Sequence, residues 1–261
     1  MDDAGATTPA TYSLSATGFA TIVANASGGY DKAFLADSAL DDTLDATPTS
    51  AKLWGAGYSI EAKLFDEVHA QASTGKDVAN LADSVGNDLF QAWPKSANLS
   101  GTISGRKFLN EAKLFDEVYA TSTAGTDTAK FNGSSGNDKF VGKPTESTMT
   151  PATGSAYKNQ AKGFKTLTVL GKGGTDTADL WDLKGRADAL EADKNWVKLY
   201  NTAPKYSYSY LVTAFKKVTS HSQDKPSALN SRKVGRGTNA GMLVFDGLWK
   251  PIAYTTRKVK R

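Results

Sequence analysis

The chain repeats itself. Lys63-Leu64-Phe65-Asp66-Glu67-Val68 returns as Lys113-Leu114-Phe115-Asp116-Glu117-Val118, and weaker copies open at Phe19, Phe164 and Phe215. The five openings lie 46, 50, 49 and 51 residues apart, so 261 residues hold four copies and the start of a fifth. Self-similarity at such a period belongs to solenoids, propellers and arrays, in which one unit cannot bury its apolar face alone and is completed by its neighbours. The residues that recur are therefore the first place to look for chemistry.

Each unit opens on Phe-x-x-Val-x-Ala: Phe19, Ile22 and Ala24, then Phe65, Val68 and Ala70, then Phe115, Val118 and Ala120, then Phe164, Leu167 and Val169. The last two positions alternate as a strand requires, whereas the three-residue step from Phe breaks the period and predicts a bulge or a corner. Twelve residues on comes Asp-x-Ala-x-Leu, at Asp31, Asp77, Asp127 and Asp176, with clean alternation that puts Ala and Leu (Phe131 in the third unit) on one buried face. A turn follows, Asp83-Ser84-Val85-Gly86-Asn87-Asp88 in the second unit and Gly133-Ser134-Ser135-Gly136-Asn137-Asp138 in the third. Gly and Asn tolerate positive φ and Asp accepts from nearby N–H groups, so the turn has a mechanism. A third strand passes through Leu44, Phe90, Phe140 and Leu190; Pro48, Pro94 and Pro144 then mark strand ends. The remainder, such as 99–112, reads as one more extended segment.

Four short strands per unit without helical periodicity predict an all-β fold. A parallel β-solenoid of four to five units and a β-propeller with one blade per unit both satisfy the count. The solenoid is favoured, because the apolar columns recur at one register and the divergent fourth and fifth units suit caps rather than closure. Such a rod would be about 40 to 50 Å long. The expected organisation is an amino-terminal segment 1–16, a repeat region 17–230 and a basic cap or tail 231–261.

The chain has 39% hydrophobic residues and 8 Pro, enough for a sizeable core, and no Cys, which excludes disulfides, thiolate metal sites and a cysteine nucleophile. No apolar run approaches the roughly 20 residues of a membrane helix, so no transmembrane segment is expected, and Met1-Asp2-Asp3 does not open a signal peptide. The net charge of +4 hides a split: +12 from Lys194 onward, −8 before it. An acidic body with a basic end predicts cation binding in the first part. For the second it predicts an anionic polymer, a membrane surface or an acidic partner, or a basic end that merely complements the body.

Gly133-Ser134-Ser135-Gly136-Asn137-Asp138-Lys139-Phe140-Val141 matches, Ser134 apart, the nonapeptide of RTX-type (hemolysin-like) calcium-binding β-rolls. The run Gly-x-Asp-x-Ala-x-Leu-x-Asp-Ser-x-Gly-Asn-Asp-x-Phe, best kept at 75–90, resembles the tandem repeats of very large surface proteins of planctomycete-type bacteria over residues 17–220. The resemblance implies an extracellular or cell-surface, calcium-associated structural or adhesive role and no reaction. The candidate Ca2+ ligands are Asp31, Asp37 and Asp42 in the first unit, Asp77, Asp83 and Asp88 in the second, and Asp127, Asn137 and Asp138 in the third. RTX turns recur every nine residues, whereas Asp77 and Asp88 are eleven apart, and the fourth unit carries Gly185-Arg186-Ala187 instead. Aspartates stacked about 5 Å apart would repel by roughly 3 kcal/mol at an effective dielectric near 20, which a cation reverses. The alternative is that Asp, Ser, Gly and Asn serve only as corners.

His69 and His221 are the two histidines, and His69 is expected on an exposed strand face. No triad, zinc cluster or phosphate loop is visible. Asp66-Glu67 and Asp116-Glu117 offer paired carboxylates of the kind that cleave polysaccharides, yet adjacent strand residues face opposite ways. The chain is therefore expected not to be an enzyme. The alternative is a carbohydrate-active β-helix enzyme or binding module using the late aromatics Trp181, Trp196, Tyr200, Tyr206, Tyr208 and Tyr210, for which core packing is the preferred reading. Exposed edge strands at the ends of a rod predict end-to-end self-association.

Overall fold

The structure, a computed structural model, describes residues 18–223, 231–234, 242–246 and 249–251. The segment 1–16 and the last basic run, Arg257 to Arg261, lie outside the described residues.

Unit one holds β1 (Thr21–Asn25), β2 (Lys32–Ala36), β3 (Thr43–Thr47), β4 (Ser50–Gly55) and β5 (Tyr58–Lys63). Unit two holds β6 (Glu67–Gln71), β7 (Val78–Ala82), β8 (Leu89–Trp93), β9 (Ser96–Ile103) and β10 (Arg106–Lys113). Unit three repeats the plan as β11 (Glu117–Thr121), β12 (Thr128–Asn132), β13 (Asp138–Lys143), β14 (Glu146–Pro151) and β15 (Lys158–Lys162). Unit four follows as β16 (Thr166–Leu170), β17 (Thr177–Trp181), β18 (Ala189–Asp193), β19 (Trp196–Asn201) and β20 (Tyr208–Thr213). Four more strands continue the stack: β21 (Lys217–His221), β22 (Ser231–Val234), β23 (Leu243–Asp246) and β24 (Lys250–Pro251). The one helical element among the described residues is the 3-10 turn Pro204–Tyr206.

These strands form two twelve-stranded sheets, ordered β1-β5-β4-β3-β7-β11-β15-β14-β13-β17-β21-β23 and β2-β6-β10-β9-β8-β12-β16-β20-β19-β18-β22-β24. Strands of successive coils pair parallel, as β7 with β11 and β12 with β16. The chain is a β-solenoid, about 50 Å long at roughly 4.8 Å per strand, and neither a barrel nor a propeller.

Two details differ from the sequence reading. The segment 99–112, taken as a single extended piece, is the antiparallel hairpin β9–β10, so a unit has five strands instead of four. Its tip, Ser104 (φ 51) and Gly105 (φ 80), has positive φ at both residues, as a two-residue hairpin turn requires. Pro48, Pro94 and Pro144 sit in the preceding tight turn, where no ladder hydrogen bond is lost. The second difference is register. Each unit crosses between the sheets three times, an odd number, so consecutive units start on opposite sheets. Like residues therefore do not stack on one another in adjacent strands. Val118 and Ala120 lie beside Ala79 and Leu81, and Phe90 and Ala92 lie beside Ala129 and Phe131. At these rungs a large side chain meets a small one, as Phe90 meets Ala129 and Leu81 meets Ala120.

The corner expected at each opening Phe is present. The residue before it is left-handed in all five copies: Gly18 (φ 76), Leu64 (φ 61), Leu114 (φ 62), Gly163 (φ 83) and Ala214 (φ 62). Gly163 has a further reason, since a Cβ there would lie 2.3 Å from the Ser122 carbonyl oxygen. The corner turns Phe115, Phe164 and Phe215 into the core, whereas Phe19, in the first coil, is exposed. Aromatic rings run from Phe164 to Phe90, Phe131 and Phe140, with centroids 5.5–5.9 Å apart, and tie three units together.

Candidate metal centre at the aspartate corners

Every crossing between sheets in units two and three is entered through an aspartate, and several of these carboxylates accept the backbone N–H of an aspartate on the neighbouring coil. The Asp42 N–H donates to Asp77 Oδ1 at 2.9 Å, and the Asp77 N–H donates to Asp116 Oδ2 at 2.8 Å. On other corners Asp31 N–H donates to Asp66, Asp88 N–H to Asp127 and Asp138 N–H to Asp176, at 2.7–2.9 Å. A buried backbone donor is thus satisfied by a charged acceptor on the next coil, among the stronger hydrogen bonds open to it. Sequence reasoning missed Asp66, Asp116 and Asp176 as members of this ladder. The signal was present as the eleven-residue steps 66, 77, 88 and 116, 127, 138.

Two corners gather more charge. Asp37, Asp42 and Asp77 bring carboxylate oxygens within 4.8 Å of one another, and so do Asp83, Asp88 and Asp127. Of the nine residues singled out from sequence, these six converge. Asp31 joins no such group, and its N–H serves the ladder instead. In the third unit Gly133 stands where Asp37 and Asp83 stand, Asn137 accepts from the Thr175 N–H, and Asp138 is taken up by Ser134 and Tyr157.

The convergent oxygens are partly engaged. Asp83 accepts from the Thr123 N–H and hydroxyl, Asp127 from the Asp88 N–H and the Ser122 hydroxyl, and Asp88 Oδ2 from the Ser84 N–H and hydroxyl. Asp42 Oδ1 and Asp88 Oδ1, on residues 2% and 3% exposed, have no partner. Both point at a glycine: a Cβ on Gly55 would lie 1.6 Å from Asp42 Oδ1, and one on Gly101 1.5 Å from Asp88 Oδ1. At the equivalent aspartates, Asp138 and Asp188, units three and four remove the orphan, while Asp176 Oδ2 beside Asp138 is itself unpartnered. The Tyr157 hydroxyl donates to Asp138 Oδ1 at 2.5 Å, and the Tyr208 hydroxyl and Asn201 amide donate to Asp188 Oδ1 at 2.7 and 3.1 Å. Unit two has Phe108 at that position, and in unit one the Tyr58 hydroxyl is buried near Asp42 without a hydrogen bond.

Burial leaves its mark on these acids. Desolvation pushes Asp77 up to about 6, with Asp37, Asp116 and Asp42 adding repulsion, and it raises Asp127, Asp176 and Asp188 as well. A carboxylate that resists ionisation is one a proton or a cation would relieve. The two groups of buried aspartates can hold a metal ion. Their all-oxygen donor set, with no His or Cys, fits a hard cation such as Ca2+ or Mg2+, and the two orphan oxygens supply unused lone pairs.

The remaining candidates fall elsewhere. His69 is half-buried rather than exposed: it stacks on Phe34 at 5.1 Å, with its ring nitrogens against Glu67 and Glu111. His221 repeats the arrangement on Trp181, between Asp179 and Asp246. Tyr208 and Tyr210 pack in the core, and Tyr206 lies in the 3-10 turn under Arg186. Asp66 and Asp116 belong to the ladder, while Glu67 and Glu117 face outward to Lys32 and Lys76, so neither pair is poised as an acid and a base. Comparison of the chain with family models, with curated proteins and with solved structures returns no match.

Proposed function

We propose that this protein is a non-enzymatic structural rod of the extracellular or cell-surface kind, in which Ca2+ clips successive coils together at the corners of units one and two. The observation that carries the reading is the orphan carboxylate oxygen at each of the two three-aspartate corners, coupled with its replacement by a hydroxyl donor in the next two units. At the second-unit corner Phe108 leaves the oxygen without a donor, whereas Tyr157 and Tyr208 supply one in units three and four; in unit one Tyr58 stands beside Asp42 with its hydroxyl unpaired. The resemblance to calcium-binding surface repeats supports the same reading.

Isothermal titration of the metal-free protein is expected to show uptake of two calcium ions per chain, one for each group, with a higher melting temperature. Phe108→Tyr, which supplies the hydroxyl of Tyr157 and Tyr208, should stabilise the metal-free protein by about 1 kcal/mol and weaken uptake at the second corner. Asp127→Asn keeps the acceptor for the Asp88 N–H and should lose one ion without unfolding. No uptake at millimolar calcium, with unchanged melting, defeats the reading.

End-to-end association belongs to the same proposal. The first strands of the two sheets, β1 and β2, expose Val23 (48%) and Phe34 (77%), Phe19 (67%) is exposed just before β1, and β1 has neither a charge nor a proline to guard its edge. Gel filtration of the wild type is expected to show concentration-dependent oligomers that Val23→Lys abolishes. A monomer at every concentration removes this part.

A further inference from the structure

Units two, three and four each have an open cleft in the same place, where the last strand of the meander starts beside the first strand of the unit. The floor is Phe108, Tyr157 and Tyr208 in turn, and the wall is Asp66-Glu67, Asp116-Glu117 and Lys165-Thr166. The first two clefts are acidic or balanced by Lys76 and Lys158. The fourth-unit cleft, about 490 Å3, has the opposite charge. Lys165 and Lys198 line it with no carboxylate among its lining residues, together with hydroxyls of Thr126, Thr166, Ser207 and Tyr200. Glu191, across from Lys198 in register, is engaged by the Tyr200 hydroxyl at 3.1 Å.

The change of charge costs the fold something. At Asp66 and Asp116 the repeat uses a carboxylate to accept a backbone N–H from the neighbouring coil, and Lys165 cannot accept; its ammonium donates to the Gly125 carbonyl at 3.1 Å instead. The acid next to it becomes Thr166. Lys198 covers the Tyr200 ring at 4.8 Å, and beyond Pro204, which lines the cleft, Arg186 and Lys205 lie over Tyr206. Cations held over aromatic faces and a cluster of hydroxyls in a concave site match a ring that carries both hydroxyls and a negative charge. Two lysines lining one cleft are too few for the continuous track that a nucleic acid needs.

We infer that the fourth-unit cleft binds an acidic sugar residue, a uronate or a sulfate ester, of a polysaccharide. The cleft shares no residue with the three-aspartate groups, although Thr126 on its wall adjoins Asp127, and it would anchor the rod to an anionic glycan through its lysines.

The test is a titration of the full chain, in EDTA, with a sulfated tetrasaccharide, an oligogalacturonate, a neutral cello-oligosaccharide, inorganic sulfate and a single-stranded oligonucleotide. At least one acidic sugar is expected to bind, and which one does identifies the charged group; the neutral sugar should not. Lys165→Asp, which restores the acceptor of the other units and so should fold, combined with Lys198→Glu, is expected to weaken acidic-sugar binding at least about tenfold. Replacing Lys258, Lys260 and Arg261 by Ser should leave it within about twofold. The inference is overturned if neither acidic sugar binds, if the double variant binds as the wild type does, or if the tail variant abolishes binding. It is overturned equally if sulfate alone or the oligonucleotide binds as well as the sugar.

Discussion

Phe90→Ala is expected to cost about 3–5 kcal/mol and to lower the melting temperature of the whole rod in one transition. Phe90 is fully buried on β8 and touches Phe131 and Phe164, which belong to the next two units. Its in-register neighbour on β12 is Ala129, too small to close over the cavity. The loss therefore falls on the contacts between units, where a stacked array keeps its cooperativity. Phe34→Ala is the matched control: at 77% exposure, with one face on His69, it should change stability by no more than about 0.5 kcal/mol. Thermal melts of the two variants, followed by circular dichroism, give the answer. Equal effects would mean that Phe90 does not join the units.

In EDTA the protein should melt at a higher temperature at pH 5 than at pH 7.5. Asp77 sits near 6 in the folded chain because burial disfavours its charge, against about 3.9 for an unfolded aspartate. Between these values the folded state binds a proton that the unfolded state does not, so stability grows as the pH falls through about 6 and levels off near 4. Asp77 alone contributes on the order of 2 kcal/mol, and Asp127, Asp176 and Asp188 shift the same way. Glu67 works in the opposite sense. Lys32, Tyr30 and His69 hold it at about 2, so its contribution is present above its ordinary value and disappears as the pH falls toward 2. The melting temperature should thus peak between about 4 and 5. Asp77→Asn, which keeps an oxygen for the Asp42 N–H, should flatten the rise from pH 7.5. A melting temperature that is level or falls over that range in the wild type contradicts the argument.

Much of this architecture is legible in the residues. The clean alternation of Asp-x-Ala-x-Leu places the inward faces of β7, β12 and β17, and the broken step after each Phe places a corner that the left-handed Leu64 and Leu114 confirm. The six aspartates that converge were all among the nine named from their turns. What was hidden depends on counting. The sheet on which a unit begins follows from the parity of its crossings, and parity depends on recognising the hairpin β9–β10. Its tip is Ser104-Gly105 in unit two but Ala56-Gly57 in unit one, with no shared signature beyond the glycine. With parity unknown, Val118 looks as if it should lie on Val68, whereas it lies between Ala79 and Asn159. The orphan oxygens were out of reach for a similar reason. Nothing local to Asp88 announces that Phe108, twenty residues on, lacks the hydroxyl that Tyr157 and Tyr208 provide.

The odd number of crossings also limits how such a molecule can grow. Adding or deleting one copy of the repeat would transfer every downstream residue to the reverse side, so that a lysine-lined hollow facing one way would then face the other. Copies gained or lost two at a time leave the aspect of the distal part intact. A lineage that relies on one flank of the rod for attachment should accordingly vary in length by steps of about 100 residues, twice the period of the sequence.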